Sequence, residues 1–397
     1  MSRYTVRHTI AGRPAGQSPQ APPAEDNSGG WQPLRWLGAP APGGLALPQA
    51  TPSMAWMYSP RGVFVDDKHV VVADSGNHRV LIWHGLPHAD EQAADVVLGQ
   101  PHGDAEGRAA GGRGPERGMN LPTGVAIVDG RLIVADAWHH RLLIWNQVPE
   151  SDDVAPDMVL GQPDAGSVEP NAGQACSAGT FYWPFGFAIL GDRFWVADTG
   201  NRRVLGWSGG IPEPGQVADI VLGQPTASAR EENRGQAVGP ASFRWPHAIA
   251  GTSELMLVAD AGDHRVLGWS PHPAADTPAN LVLGQPDFVT AQEWPYGPHT
   301  GDRFRFPYAI DLDGDCVVVA DTANNRILVW DGVQAEALGA RPADHVLAQP
   351  DFGSNGENRW SLVGRDTLCW PYGVSLHGDL LAIADSGNNR VMIWSRS

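Results

Sequence analysis

Six aspartates, each followed five residues later by an arginine, are the most regular ionisable groups in this chain. They are Asp74 and Arg79, Asp136 and Arg141, Asp198 and Arg203, Asp260 and Arg265, Asp321 and Arg326, and Asp385 and Arg390. A positioned carboxylate can act as a general acid or base, yet six equivalent ones at one spacing do not make a single active site. The residues between the partners are rich in Asn, Asp and Gly, which suits an Asx-type turn. An Asp closing one strand and an Arg opening the next are therefore expected to pair across a tight connection, as structure and not as catalysis.

Histidine offers a second chemistry. His78, His140 and His264 each precede the repeated Arg, and His139 and His247 stand elsewhere in the repeat. Zinc requires three or four convergent ligands; His78, His140 and His264 lie in separate copies, and His139 and His247, expected nearer the channel, have no third ligand evident. No metal and no other cofactor is expected. Three cysteines, Cys176, Cys316 and Cys369, are too few and too scattered for a disulfide framework or a Cys-x-x-Cys metal site.

One set of residues departs from the repetition. A proline always sits fourteen residues before the Asp: Pro60, Pro122, Pro184, Pro246, Pro307 and Pro371. The residue after it changes from copy to copy: Arg61, Thr123, Phe185, His247, Tyr308 and Tyr372. Positions that break a rule the scaffold keeps are where a site can be built. Arg61 could hold an anion, His247 could serve as base or ligand, and the aromatic rings could wall a small molecule. A second departure is Trp138-His139, where the other copies have Gly-Asn, Gly-Asp or Ala-Asn. An exposed Trp at that point would suit a protein partner.

The elements that must position these residues follow from the period. A Trp falls four residues after each Arg (Trp83, Trp145, Trp207, Trp269, Trp330, Trp394), and a Leu-Gly-Gln-Pro element or close variant ends at Pro101, Pro163, Pro225, Pro286 and Pro350. From that proline to the proline opening the next copy is 21 residues every time, and the whole unit is about 62 residues long. Each unit holds four short apolar, β-branched runs bounded by turn residues, as in "TGVAIV", "RLIVAD", "RLLIW" and "DMVLGQ". Four antiparallel strands repeated six times predict an all-β, six-bladed β-propeller.

The sixth copy has no closing run after Trp394, whereas Leu37-Gly38-Ala39-Pro40 matches that element one period before Leu98. An N-terminal strand is thus expected to complete the last blade, which removes the free sheet edges. A weaker candidate, "HTIAGRP" at residues 8–14, lies out of phase. The domain plan is a flexible Pro/Gly/Ala-rich arm over residues 1–30 and a propeller over residues 31–397. In that plan the 21-residue connections share a face with the Asp-to-Arg turns, and the residues after the repeated prolines ring the mouth of the central channel, where they either form a site or plug it.

The pattern Pro-x-Gly-Val followed by Val-Ala-Asp-x-Gly-Asn-x-Arg-Val resembles the NHL repeat, and the "VLGQPD" elements are similar to a long-period bacterial subtype of it. The resemblance covers residues 31–397 and implies the propeller fold. NHL propellers include an amidating lyase, RNA-binding regulators and scaffold proteins, so it implies no one activity. The lyase's zinc-binding histidines do not map onto this chain by motif.

Charge narrows the partners. The sequence has 44 acidic and 27 basic residues, a formal charge of −17, and one lysine, Lys68. So acidic a chain repels phosphate backbones on average, and the loop arginines (Arg108, Arg113, Arg117, Arg230, Arg234, Arg244, Arg303, Arg305, Arg359, Arg365) are interleaved with acids such as Asp104, Glu106, Glu231, Glu232, Asp302 and Glu357. Nucleic acid is not the expected partner. No signal-peptide h-region and no run of 18 apolar residues occurs, so a cytoplasmic protein without a membrane partner is expected. The functional expectation is a non-enzymatic scaffold or accessory factor that binds protein through the long-loop face. The alternatives are a hydrolase or lyase at the channel mouth and, third, RNA binding.

Overall fold

A computed structural model describes residues 27–38, 51–293, 297–333, 338–339 and 341–397. Its six four-stranded antiparallel sheets are the six blades of an all-β propeller. Blade 1 is Gly62–Val65, His69–Asp74, Arg79–His84 and Val96–Leu98, running from the channel outward in chain order. Blades 2 to 5 repeat this order within residues 125–160, 184–222, 246–283 and 307–347.

Blade 6 takes its first three strands from Pro371–His377, Leu380–Asp385 and Arg390–Arg396, and its outer strand from Trp31–Gly38. Trp31 lies opposite Arg396 and Gly38 opposite Arg390, with a register shift between Pro33 and Arg35. The N-terminal strand thus closes the ring. Asn27–Gly30, which composition places in the arm, form a turn packed on blade 5: the Val346 N–H donates to the Asn27 carbonyl at 3.1 Å. Residues 1–26, Ala39 and Pro40 lie outside the described residues, as does the out-of-phase candidate strand.

Both faces of each sheet are apolar because both are covered, and six apolar clusters fill the six gaps between blades. Each third-strand Trp packs into the gap toward the preceding blade. Trp83 lies with Leu37 and Ile393 of blade 6, and Trp394 lies with Val318 and Val329 of blade 5. The gap between blades 6 and 1 is filled like the other five.

Two residues after the repeated Pro, four blades have Gly (Gly62, Gly124, Gly186, Gly373) and two have Ala (Ala248, Ala309), and the small residue follows from how closely the inner strands converge. A Cβ on Gly62 would stand 1.7 Å from the Thr123 carbonyl oxygen of the next blade, and one on Gly373 would stand 2.5 Å from that of Arg61. The residues between each Pro and this small residue are therefore drawn to the axis together.

Candidate functional site

The Asp-to-Arg connections are short 3-10 turns on the same face as the 21-residue connections. In blade 1, Asp74 Oδ2 accepts from Arg79 Nε at 2.7 Å and from Asn77 Nδ2 at 2.8 Å, while its Oδ1 accepts the Tyr58 N–H at 2.7 Å. Arg79 then reaches up with its Nη2, which donates to the Ser53 and Trp56 carbonyls at 2.8 and 2.7 Å. A buried ion pair with its remaining donors satisfied organises the long loop above it. Arg–Asp contacts of 2.7–3.2 Å occur in all six blades, with every partner fully or almost fully buried. The glutamine of each Leu-Gly-Gln-Pro element adds a second staple: Gln100 Nε2 donates to the carbonyls of Asn77 in the turn and Gly107 in the loop.

Two blades alter the Asn of this cluster. Blade 2 has His139, whose Nδ1 lies 2.9 Å from Asp136 Oδ2. Blade 4 has Asp263, whose carboxyl burial and the Asp260 charge push up to about 7.

The residue just before each Arg links neighbouring blades. It is left-handed in every copy, with φ of 53–57°. Its side chain accepts the N–H of the residue before the next blade's Pro: His78 Nδ1 from Leu121 at 3.1 Å, His140 Nδ1 from Trp183 at 3.1 Å, and His264 Nδ1 from Phe306 at 3.2 Å. Asn325 and Asn389 accept through Oδ1 from Trp370 and Ser59, both at 2.9 Å. Arg202 has no acceptor to offer, and the Trp245 N–H turns instead to Asp260 Oδ1. An imidazole that accepts here must be neutral at Nδ1. Burial lowers all three histidines, His140 and His264 to about 4.

At the axis, five of the six residues after the repeated prolines meet. Phe185 and His247 have ring centroids 4.5 Å apart, His247 and Tyr308 4.6 Å, and Tyr308 and Tyr372 4.4 Å. Arg61 continues the sequence with its guanidinium carbon 5.1 Å from the Tyr372 ring centroid. The sixth residue, Thr123, is too short to join and is buried, its Oγ1 donating to the Phe185 carbonyl at 2.8 Å.

Trp138 takes that place from the turn of the same blade, 5.4 Å from the Phe185 ring and 5.4 Å from the Arg61 guanidinium carbon. The turns of blades 1 and 3 leave no room for such a side chain: a Cβ on Gly76 would meet the Tyr58 ring at 2.3 Å and one on Gly200 the Tyr182 ring at 2.6 Å, whereas the corresponding residue in blade 2 is the smaller Asn120. The Trp138-His139 pair expected to face a partner is thus divided. Trp138 is half-buried in the axial ring, and His139 is buried in the Asp136–Arg141 cluster because it stands where an Asn must reach the carboxylate.

The ring caps an axial cavity of about 370 Å³ lined by the inner strands. His247 Nδ1 lies 3.0 Å from the Trp245 carbonyl, and burial lowers its pKa to about 4, so it is neutral at pH 7. Burial raises the Tyr308 and Tyr372 hydroxyls. At the far end Asp311 accepts the Leu376 and Leu312 N–H groups at 2.7 and 2.8 Å, and burial raises it to about 6. Among the described residues no three His, Cys, Asp or Glu side chains converge as a metal site.

On the loop face most arginines are neutralised. Arg113 pairs with Asp153 at 2.7 Å, Arg244 with Glu232 at 2.9 Å, Arg305 with Glu293 at 2.7 Å, Arg359 with Asp366 at 2.6 Å and Arg365 with Asp90 at 2.9 Å; Arg234 pairs with Asp276. The connection into blade 6 is distinctive. Trp360 is 80% exposed and Leu362 62%, and Trp370, 40% exposed, donates its Nε1–H to Glu357 in the same turn as Trp360 at 3.1 Å. Trp360 has φ of 55° where the matching turns of blades 3 and 4 carry Gly173 and Gly235, both at 70°. Neither Trp360 nor the axial role of Trp138 was singled out from the sequence. Aligning "PNAG", "ENRG" and "ENRW" would have revealed the first.

Six four-stranded blades around a capped axis, locked by an N-terminal strand, define a six-bladed β-propeller. The NHL repeat family matches residues 57–83 and 119–145, the inner three strands of blades 1 and 2, so the propeller carries NHL repeats in those two blades. It is 24% identical over 348 residues to NHL repeat-containing protein 2 of Homo sapiens, and 24% identical over 352 residues to that of Gallus gallus. Both alignments cover 82% of this chain but 44% of the relative, so the chain spans less than half the length of these curated relatives. Among solved structures, a protein of unknown function from Bacteroides thetaiotaomicron VPI-5482 superposes with a TM-score of 0.50 at 13% identity, covering 92% of this chain and 76% of that one. That likeness speaks to the fold alone. No helix among the described residues is long and apolar enough to cross a membrane.

Proposed function

We propose that this propeller is a protein-binding scaffold or accessory factor whose contact surface is the long-loop face, centred on the connection into blade 6. The observation that carries this reading is Trp360. A bulky residue in the left-handed region costs about 1–3 kcal/mol, and exposing its ring forgoes burial besides, at a position where two other blades use glycine. Trp360, Leu362 and Trp370 form an apolar and aromatic patch of the kind that anchors protein interfaces. Pairing of the loop arginines with carboxylates supports a protein partner over a nucleic acid, because paired guanidiniums release few counterions.

The test is Trp360→Gly, which restores the residue of blades 3 and 4. The variant is expected to fold and to be as stable as the parent or slightly more so. Quantitative affinity purification from the source cells should yield at least one protein captured by the parent and lost with Trp360→Gly. A set of captured proteins that is the same for both would overturn the reading.

A further inference from the structure

Arg61 is the one half-buried arginine among the described residues that has no oxygen partner. Every other half-buried arginine donates to a carboxylate or a carbonyl; Arg193, for example, reaches the Pro273 carbonyl at 2.7 Å and Arg202 reaches that of Gly200 at 3.0 Å. Arg61 instead lies between the Trp138 and Tyr372 rings, with its guanidinium carbon 5.4 and 5.1 Å from their centroids. In a chain carrying 44 acidic residues this cation has been left without one. Its charge is felt at His247, Tyr308 and Tyr372, the other polar groups of the ring, and no carboxylate offsets it there.

Contact with ring faces satisfies none of a guanidinium's N–H donors, so the fork remains available to a planar anion. His247 is neutral, and burial keeps both tyrosine hydroxyls protonated, so the mouth offers one positive charge surrounded by neutral rings. The fork fits carboxylate and phosphate oxygens alike, but one charge matches a monoanion better than a phosphate dianion, and the aromatic and apolar surroundings favour an organic carboxylate over inorganic phosphate. Below the ring the cavity of about 370 Å³ is lined by Ile127, Phe187, Ile249 and Leu312, and it falls within the size range of small-molecule sites. Asp311 stands farther along the same inner strand as Tyr308 and places negative charge away from the mouth.

We infer that the channel mouth binds a small amphipathic monocarboxylate, its carboxylate on the edge of Arg61 and its apolar body within the aromatic ring and the cavity beneath. This site lies on the axis, apart from the Trp360 patch, and stands whether or not that patch binds protein.

The experiment is calorimetric titration of the full chain with benzoate, with inorganic phosphate, and with an amidated peptide whose sole carboxylate is one glutamate side chain. Each probe is applied to the parent, Arg61→Gln, Arg61→Lys and, as a control, the exposed Arg108→Gln. Benzoate is expected to bind the parent and Arg108→Gln alike. It should bind Arg61→Gln at least ~10-fold more weakly, with Arg61→Lys in between because it keeps the charge and loses the fork. Binding of the peptide alone, with the same dependence on Arg61, would support the carboxylate site and identify its source as a protein side chain. The proposal is overturned if neither carboxylate binds the parent, if Arg61→Gln binds undiminished, or if phosphate binds the parent as tightly as benzoate. The last comparison needs no variant, so a failure of Arg61→Gln to fold leaves the test intact.

Discussion

Asp263→Asn should stabilise this protein, and more so at alkaline than at acid pH. Blades 1, 3, 5 and 6 carry an Asn at this position, and its Nδ2–H reaches the cluster Asp at 2.8 Å each time. Asp263 cannot make that bond when ionised. Its carboxyl faces Asp260 across the same Arg265, and its Oδ2 is buried without a hydrogen bond. The strain is visible in the geometry: Arg265 stands 3.2 Å from Asp260, against 2.7–2.8 Å for the other five pairs.

Burial and the Asp260 charge raise Asp263 from 3.8 to about 7. For a carboxyl raised on folding, stability is fully present below the unfolded value and is lost as pH rises through the folded one. At pH 8 the loss has an upper bound of roughly 4 kcal/mol. Taking half of that, to allow for Arg265 and local relaxation, leaves a gain of about 2 kcal/mol for the Asn variant. At pH 5, little more than one unit above the unfolded value, the same loss has an upper bound of about 1.6 kcal/mol, and the same halving leaves a gain of about 0.8 kcal/mol. For a chain of this size each kcal/mol moves the melting midpoint by roughly 1–2 °C. Scanning calorimetry at pH 5 and pH 8 is therefore expected to show the variant about 2–4 °C above the parent at pH 8 and about half that or less at pH 5. A gain that does not depend on pH would refute the assignment of the cost to ionisation, and a loss would refute the cluster logic itself.

Two further outcomes follow from the ring. Removing residues 1–38 strips the outer strand from blade 6 and uncovers Trp83 and Ile393, so the truncated chain should lose several kcal/mol and expose a sheet edge; a melt as late and as cooperative as the parent's would contradict closure by this strand. The double variant His140→Asn, His264→Asn keeps an acceptor for the Trp183 and Phe306 N–H groups, as Asn325 and Asn389 do for theirs. Neutral histidine contributes stability above pH 6.5 that is lost as pH falls toward 4, so the variant should gain about 2 kcal/mol on the parent between pH 7 and pH 4.5 in urea unfolding, and parallel pH curves would show that these histidines are not the acid-sensitive links.

How much of this was legible depended on whether a residue's role repeats. The Asp-Arg spacing, the third-strand Trp and the matching Leu37-Gly38 were readable because each recurs with one geometry, and recurrence averages away local accident. Even the histidines before the arginines belong to a rule: His and Asn share the property of a neutral acceptor on a left-handed residue, and only Arg202 breaks it. Read singly, those histidines suggest metal chemistry; read down the column with Asn325 and Asn389, they describe a link between blades.

The axial ring resisted that method because it is built from two columns at once. Thr123 looks like a weak member of the set following the prolines, and Trp138 looks like an anomaly of the turns. Each explains the other only when both are seen to occupy blade 2, where the small Thr123 leaves a gap at the axis and the small Asn120 opens the path by which Trp138 fills it. The same pairing can be sought in any repeat protein: a residue too small in one column, matched in the same copy by one too large in another, marks two side chains sharing one space. Here that space adjoins Arg61, and Trp138 sets a second aromatic ring beside a guanidinium that also lies over Tyr372. A plug needed only bulk. A ring of aromatic faces around one unpaired cation is more than bulk requires, and that excess singles out the mouth as a place to look for a ligand.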